Sequence, residues 1–485
     1  MNKHLPERPD LEHLKDEAKA LLQSLRNGDS DALARAGGTQ SDYRLADAQR
    51  ILAREYGHAS WAKLKQHVEG AKDRRMAFFQ ALRGGDRTTV ARILDQEPSL
   101  VRARDEGAFG AAVITIAAER DDLPLIDLVL DRGADIDARS DWWAGSFGAL
   151  DLAGESTSAY LLKKGAKITA HAAARLGHAD QLREMIRKDP DVVFERGGDG
   201  QYPLHFSKTP EIVDLLVDAG SVLDARDLDH VSTAAQFRIQ DPDVCKRLLE
   251  RGASPDVYMA VMLEDAPLLE ALIVADPKCL FRTPMDLGNP MIPQAPGFPV
   301  YTYNIGLGRP FQIAAHYDKR LAMEVIDSHS SPALRLLAAC WMNDSAKAHR
   351  LASHVGDLST RDASLLAEAA WDRRTDSIKL MLELGFNPDA AGIHRSTPLD
   401  RAAFHGFDDV IEAVLPYNPS LTVENEFGGT PLRACVYGSI HSWRKDGNFP
   451  RSVELLLEAG SPRPTKLHGS PDVNHILERY GISTS

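Results

Sequence analysis

The apolar residues of this chain recur with helical spacing. Leu11, Leu14, Ala18, Leu21, Leu22 and Leu25 fall at intervals that keep one face apolar, which predicts an amphipathic helix stopping near Gly28. Residues 46–56 predict a second helix, and Ser60-Trp61 opens a third. Beyond Met76 one phrase dominates: a helix ending in paired small residues, a short turn, then a second helix of the form V-x-x-L-L-x-x-G-A. Residues 126–134, 213–220, 245–253, 378–386 and 453–460 are copies. Their apolar positions i, i+3 and i+4 predict a helix with one buried face. Gly133, Gly220, Gly252, Gly385 and Gly460 stand where each helix must stop in a left-handed conformation, which glycine adopts without a Cβ clash.

The first helix of each unit often opens with Thr-Pro-Leu. Thr397-Pro398-Leu399 and Thr430-Pro431-Leu432 are full copies, and Tyr202-Pro203-Leu204-His205 is a variant. Threonine caps such a helix and proline suits its first turn. At intervals of about 30 residues, these phrases resemble ankyrin repeats, with about eleven units over residues 76–464. Leu45-Ala46-Asp47-Ala48-Gln49, Ala53-Arg54-Glu55-Tyr56-Gly57 and Ala59-Ser60-Trp61 resemble the helical leader that precedes many bacterial ankyrin arrays. Tyr437-Gly438-Ser439, Trp443 and Gly447-Asn448-Phe449 are similar to a terminal repeat of that bacterial group. The resemblance implies an all-α ankyrin-repeat solenoid of helix pairs with hairpin fingers, capped by an N-terminal helical segment. The expected division is a cap over residues 1–72 and an array over 73–485. The array carries a long internal loop at about 282–310 and an insertion in the last repeat at about 439–450. The cap is expected to pack on the first repeats and to bury Leu21, Leu25, Ile51 and Trp61.

Composition narrows the function classes. The chain has 485 residues, 43% hydrophobic and 26% charged, which describes a folded chain. A formal net charge of −13 argues against a nucleic-acid or anionic-membrane partner. No run approaches the roughly 18 apolar residues that cross a bilayer, and the polar stretch at residues 1–14 predicts no secretory signal. Cys245, Cys279, Cys340 and Cys435 form no C-x-x-C pair and sit beside apolar runs, which predicts reduced core thiols. A cytoplasmic monomer is the resulting expectation. P-loop, H-E-x-x-H, paired C-x-x-C and EF-hand patterns are missing, and Gly306-Leu307-Gly308 lacks the third glycine of a dinucleotide site. No cofactor and no metal are therefore predicted.

In ankyrin-type binders the two residues after the paired alanines point into the concave groove. The resemblance thus implies a groove lined by Glu119-Arg120, Arg175-Leu176, Gln236-Phe237, His316-Tyr317, Cys340-Trp341, Trp371-Asp372, Phe404-His405 and Tyr437. Its C-terminal half is rich in rings, which supply contact area and polar handles. Trp341, Trp371, Phe404, His405 and His316 are expected to share one enclosure, closed by Tyr301 or Tyr303 of the long loop. Tyr317, Tyr437, His441 and Trp443 extend its lining. Trp142 and Trp143, in the finger Asp141-Trp142-Trp143-Ala144-Gly145-Ser146-Phe147, form a second candidate patch. Two functions fit. One is a scaffold that holds a protein, peptide or small molecule in the aromatic groove. The other is a lyase, isomerase or hydrolase with its pocket under the long loop, using His316, His405 or Asp372 for proton transfer.

Overall fold

The computed structural model describes residues 3, 5–6, 10–38, 42–286, 298–463 and 465–484. The chain is an all-α array of ankyrin-type helix pairs. Val113–Glu119 pairs with Leu123–Asp131, Ala170–Leu176 with Ala179–Lys188, Val257–Leu263 with Ala266–Ala275, and Leu365–Trp371 with Thr375–Glu383. Pro398–His405 then pairs with Asp408–Val414, and Pro431–His441 with Phe449–Glu458. Two units have a first helix of only four residues, Ala149–Leu152 and Ala234–Phe237. Among the described residues the only named strands are Arg104–Asp105 and Ala111–Ala112, an antiparallel finger.

Local chemistry sets the helix ends. Asp86, Asp122, Thr169, Thr209, Asp265 and Asp344 each accept a backbone N–H of the helix they precede. Thr397 and Asp400 cap reciprocally, with Asp400 N–H donating to Thr397 Oγ1 at 3.1 Å and Thr397 N–H to Asp400 Oδ2 at 3.2 Å. Thr430 makes no such bond, so the second Thr-Pro-Leu copy relies on proline alone. The turn inside most pairs passes through a left-handed residue. Asp121, Glu264, Asp318, Asn343, Arg373 and Gly406 take φ between 50° and 69°.

The contacts divide the chain near Ala234 into two compact units. In the first, the N-terminal helices Leu11–Arg26, Ser30–Ala36, Leu45–Glu55 and the start of Trp61–Gly84 enclose two small apolar clusters of their own. One contains Leu14, Leu52 and Leu64, the other Leu21, Leu25 and Tyr43. The core of the first repeats is separate and begins at Phe78 and Phe79, on the same long helix. Leu21 and Leu25 are buried as expected, whereas Ile51 and Trp61 are only half-buried. The physical reason is that these helices pack on one another and reach the array through a continuous helix, not by lying on its apolar end. Removing residues 1–60 should therefore leave a soluble array whose melting midpoint shifts only slightly. Aggregation of the truncated chain in a thermal melt would contradict this.

In the second unit the described ends of the long loop are pinned to the repeats. Arg309 is fully buried and binds Asp362 Oδ1 at 2.9 Å and the Arg361 carbonyl at 2.6 Å. The Tyr258 hydroxyl donates toward the Arg282 and Gly308 carbonyls, 2.8 and 3.1 Å away. The middle of the loop, residues 287–297, lies outside the described residues. All four cysteines are buried. Burial pushes the Cys245 and Cys340 thiols up to about 12 and that of Cys279 to about 11. No helix of the described residues is long and apolar enough to cross a membrane.

Candidate functional site

Counting back two residues from the left-handed turns at Asp318, Asn343, Arg373 and Gly406 gives His316, Trp341, Trp371 and Phe404. These four occupy one register position, the last turn of the first helix. Trp371, Phe404 and Tyr437 follow at a spacing of 33 residues, and their rings form a stepped column. Trp371 and Phe404 are stacked with centroids 6.1 Å apart and planes 4° from parallel. Phe404 and Tyr437 follow at 6.3 Å and 28°, and His441 stacks on Tyr437 at 4.1 Å. Trp443, from the insertion of the last repeat, meets Trp371 and Phe404 edge-on at 5.6 and 5.9 Å. Trp371 and Phe404 are half-buried, while Tyr437 is 58% and Trp443 63% exposed. An open apolar face of this kind is unfavourable to leave in water.

The insertion that carries Trp443 is locked onto the preceding helix. A Cβ at Gly438 would strike the Phe404 carbonyl, and one at Gly447 the His405 carbonyl, so only glycine permits this approach. Asn448 N–H donates to Gly406 O at 2.7 Å, and Arg373 Nη1 to Asp446 O at 2.7 Å. His405 lies beneath, 1% exposed, with Nδ1 2.9 Å from Ser442 Oγ. Its ring packs within 4.4 Å of Trp371, 5.1 Å of Trp443 and 5.2 Å of Phe407, centroid to centroid.

Burial, with Arg444 and Arg401 nearby, lowers the His405 pKa to about 4, so the ring is neutral at physiological pH. Asp372, beside Trp371, stays exposed at the surface. Its carboxyl is nevertheless raised, first by the desolvating walls around it and then by Glu368, against the lowering effect of Arg374, His316 and Arg444. A carboxylate on a ring-walled face meets some water but little bulk solvent, which reconciles the two observations. Arg401, buried under Trp371, places its guanidinium 4.9 Å from the ring centroid.

Asp400 is 2% exposed, and burial raises its carboxyl to about 6. Its Oδ1 has no hydrogen-bond partner. The folded value lies above the unfolded one, so ionised Asp400 destabilises the fold above pH 6 and ceases to do so as pH falls toward 4. Asp400→Asn keeps an oxygen for the Thr397 N–H, and is expected to stabilise the protein at pH 7.5 by about 2 kcal/mol. That gain should vanish near pH 4. Urea titrations at the two pH values check it, and a destabilised variant at pH 7.5 would refute it.

The structure brings together Trp371, Phe404, His405, Tyr437, His441 and Trp443, but not the whole expected enclosure. Trp341 is 4% exposed, covered by the Arg374 guanidinium 4.6 Å from its centroid, so it is not a free face. Tyr301 does not close the groove either. It is buried, its hydroxyl bonds Asp256 Oδ2 at 2.8 Å, and its ring packs 5.4 Å from Tyr258. Tyr303, two residues on, is 63% exposed. His316 is exposed, edge-on to Tyr317 at 4.8 Å, and Tyr317 hydrogen-bonds the Asn304 carbonyl at 3.1 Å. His405 was expected to line the enclosure and to be available for proton transfer. It is instead an enclosed packing residue, unsuited to proton exchange with a groove ligand, because the insertion lies over it. In the first unit, Trp142 packs edge-on against Phe109 at 4.6 Å and Trp143 stands 48% exposed beside it. Two open cavities of about 400 and 550 Å³, near Gln181 and Lys246, contain none of the predicted site residues. Sequence reasoning missed Arg401, Ser442 and Arg444. Ser442 and Arg444 flank Trp443 in the sequence, and Arg401 lies one helical turn before Phe404 and His405.

No family model matches the chain. Protein PhlB of Serratia liquefaciens is 27% identical over 122 residues, which are 24% of this chain and 54% of PhlB. The match thus spans about half the length of that relative. Among solved structures, the ankyrin repeat domain of human ASB11 is similar over 61% of this chain and 100% of its own, at 16% identity and a TM-score of 0.26. The ankyrin repeat domain of Bcl-3 is similar over 60% and 98%, at 16% identity and a TM-score of 0.24. A complex of the predatory endopeptidase Bd0816 of Bdellovibrio bacteriovorus with immunity protein Bd3460 is similar over 36% and 97%, at 19% identity and a TM-score of 0.25.

Proposed function

We propose that this chain is a binding scaffold whose partner is a protein, held on the ring column of the last three repeats. The observation that carries this is the column itself: Trp371, Phe404 and Tyr437 at one register position, stacked about 6 Å apart and flanked by Trp443. Aromatic side chains at this density supply most of the energy of a protein interface. The face is open at Tyr437 and Trp443 rather than sunk into a cavity, which suits a broad partner better than a small molecule that must be nearly engulfed. His405 serves this surface by supporting Trp371 and Trp443 from below. A photo-reactive phenylalanine analogue in place of Tyr437, irradiated in cells that make the protein, should form a discrete protein adduct. The same probe in a Trp371→Ala, Trp443→Ala background should not. An adduct that forms equally in both backgrounds, or no protein adduct at all, would overturn the proposal.

A further inference from the structure

The first unit carries a second aromatic edge that the ring column does not explain. It is built on two neighbouring fingers. Phe109 sits at the tip of the Arg104–Asp105 and Ala111–Ala112 hairpin with φ 54°, a strained conformation for a bulky residue, and is 65% exposed. The adjoining finger is fixed to it by the Asp141 N–H bond to Gly110 O at 3.0 Å. Trp142 packs edge-on to Phe109, and Trp143 follows at 5.9 Å, 48% exposed. Such rings on a finger have no core to fill.

Carboxylates outnumber cations beside these rings. The Trp142 indole lies close enough to the Asp199 carboxylate on the next finger to favour its ionised form. Polar side-chain atoms of Asp199, Asp229 and His230 lie within 4.8 Å of one another. Asp227, beneath them, accepts from His230 Nδ1 at 3.0 Å. Among the described residues, the ion pairs of Asp227 and Asp229 are with His230, and no Lys or Arg pairs with Asp199, Asp227 or Asp229. Three carboxylates therefore share one imidazole. Asp199 pays for this crowding: burial first, then Asp229 and Asp227, raise it to about 6. Exposed Asp141 adds a fourth carboxylate at the rim, only 3.8 Å from Arg104 Nε.

We propose that this edge docks a cationic segment of a partner protein, seating a guanidinium or ammonium group against the Trp143 face and between the Asp199 and Asp229 carboxylates. The complementarity is twofold. The ring faces attract a cation through their quadrupoles, and a partner's cation adds positive charge to three carboxylates that have one imidazole between them. This surface lies on the first unit and does not depend on the ring column.

The test is calorimetric titration of the full chain with N-acetyl-tetra-arginine amide, and with N-acetyl-tetra-glutamate amide as control, at low salt. The wild type should bind the arginine peptide and not the glutamate peptide. Asp199→Asn with Asp229→Asn, and separately Trp143→Ala, should each weaken arginine-peptide binding by about tenfold. Trp143 is exposed, so its variant keeps the far-ultraviolet dichroism of the wild type. Trp371→Ala should leave this titration unchanged, which separates the two surfaces. Equal binding by wild type and both variants would overturn the proposal. So would manganese chloride binding at Asp199 and Asp229 and displacing the peptide, since the pair would then be a metal site.

Discussion

Replacing His405 by alanine is expected to destabilise the last two repeats by about 3 kcal/mol, the range for emptying a packed aromatic site. His405 fills the space between Trp371, Phe407 and Trp443 and is the side-chain partner of Ser442. Its loss leaves a cavity under the insertion and a hydroxyl without its imidazole. Hydrogen exchange should quicken first at Arg444 N–H, which bonds Ser442 Oγ, and at Asn448 N–H, which bonds Gly406 O. The pH dependence carries the same information. The folded His405 pKa is about 4, below its unfolded value near 6.5. Its stabilising contribution is therefore present above pH 6.5 and is lost as pH falls through that value toward 4. His205, also lowered to about 4 by burial, behaves alike. The measurement is consequently the difference between wild type and His405→Gln across that window. The variant should lose less stability than the wild type on acidification. Parallel curves would show that His405 is not held neutral by its surroundings.

Truncating the exposed rings of the column should act on binding and hardly on folding. Trp443 and Tyr437 are mostly exposed, so their removal vacates little core. Trp371→Ala removes the central ring, which touches Phe404, His405 and Trp443 at once. For the protein captured at Tyr437, this change is expected to weaken affinity by about 2 kcal/mol or more, roughly thirtyfold. Phe427, 75% exposed on a finger and, among the described residues, in ring contact with His394 alone, should contribute less. An affinity that tracks Phe427 and ignores Trp371 would move the interface from the column to the fingers.

Much of this was legible in the residues. Apolar spacing located the helix pairs, and the glycines after V-x-x-L-L marked their ends; Gly133, Gly220, Gly252, Gly385 and Gly460 all take φ near 90–100°. Register alone brought Trp371, Phe404 and Tyr437 into line. What failed did so for non-local reasons. Trp341 holds the same register position as Trp371, but Arg374 of the next repeat covers it and leaves it buried, while Trp371, with Arg401 against it, is only half-buried. Tyr301 lies in a proline-rich loop that suggested a lid, yet its hydroxyl finds Asp256, buried far earlier in the chain. His405 was aimed correctly by its helix. What hid it was the insertion, whose close approach depends on Gly447 and on Gly438 of the helix before it; the sequence shows these glycines but not what they pack against. Of the N-terminal helices, all but Ser30–Ala36 were found from the sequence. Their separate cores were not, because spacing marks an apolar face but not what it packs against.

The central claim is that the ring column is the binding face. Its most direct test is calorimetric titration of the captured partner protein into wild type and into the Tyr437→Ala, Trp443→Ala double variant. Both rings are exposed, so the variant should melt as the wild type does. The predicted result is an affinity lower by about a hundredfold or more. Unchanged affinity in a folded double variant would contradict the claim.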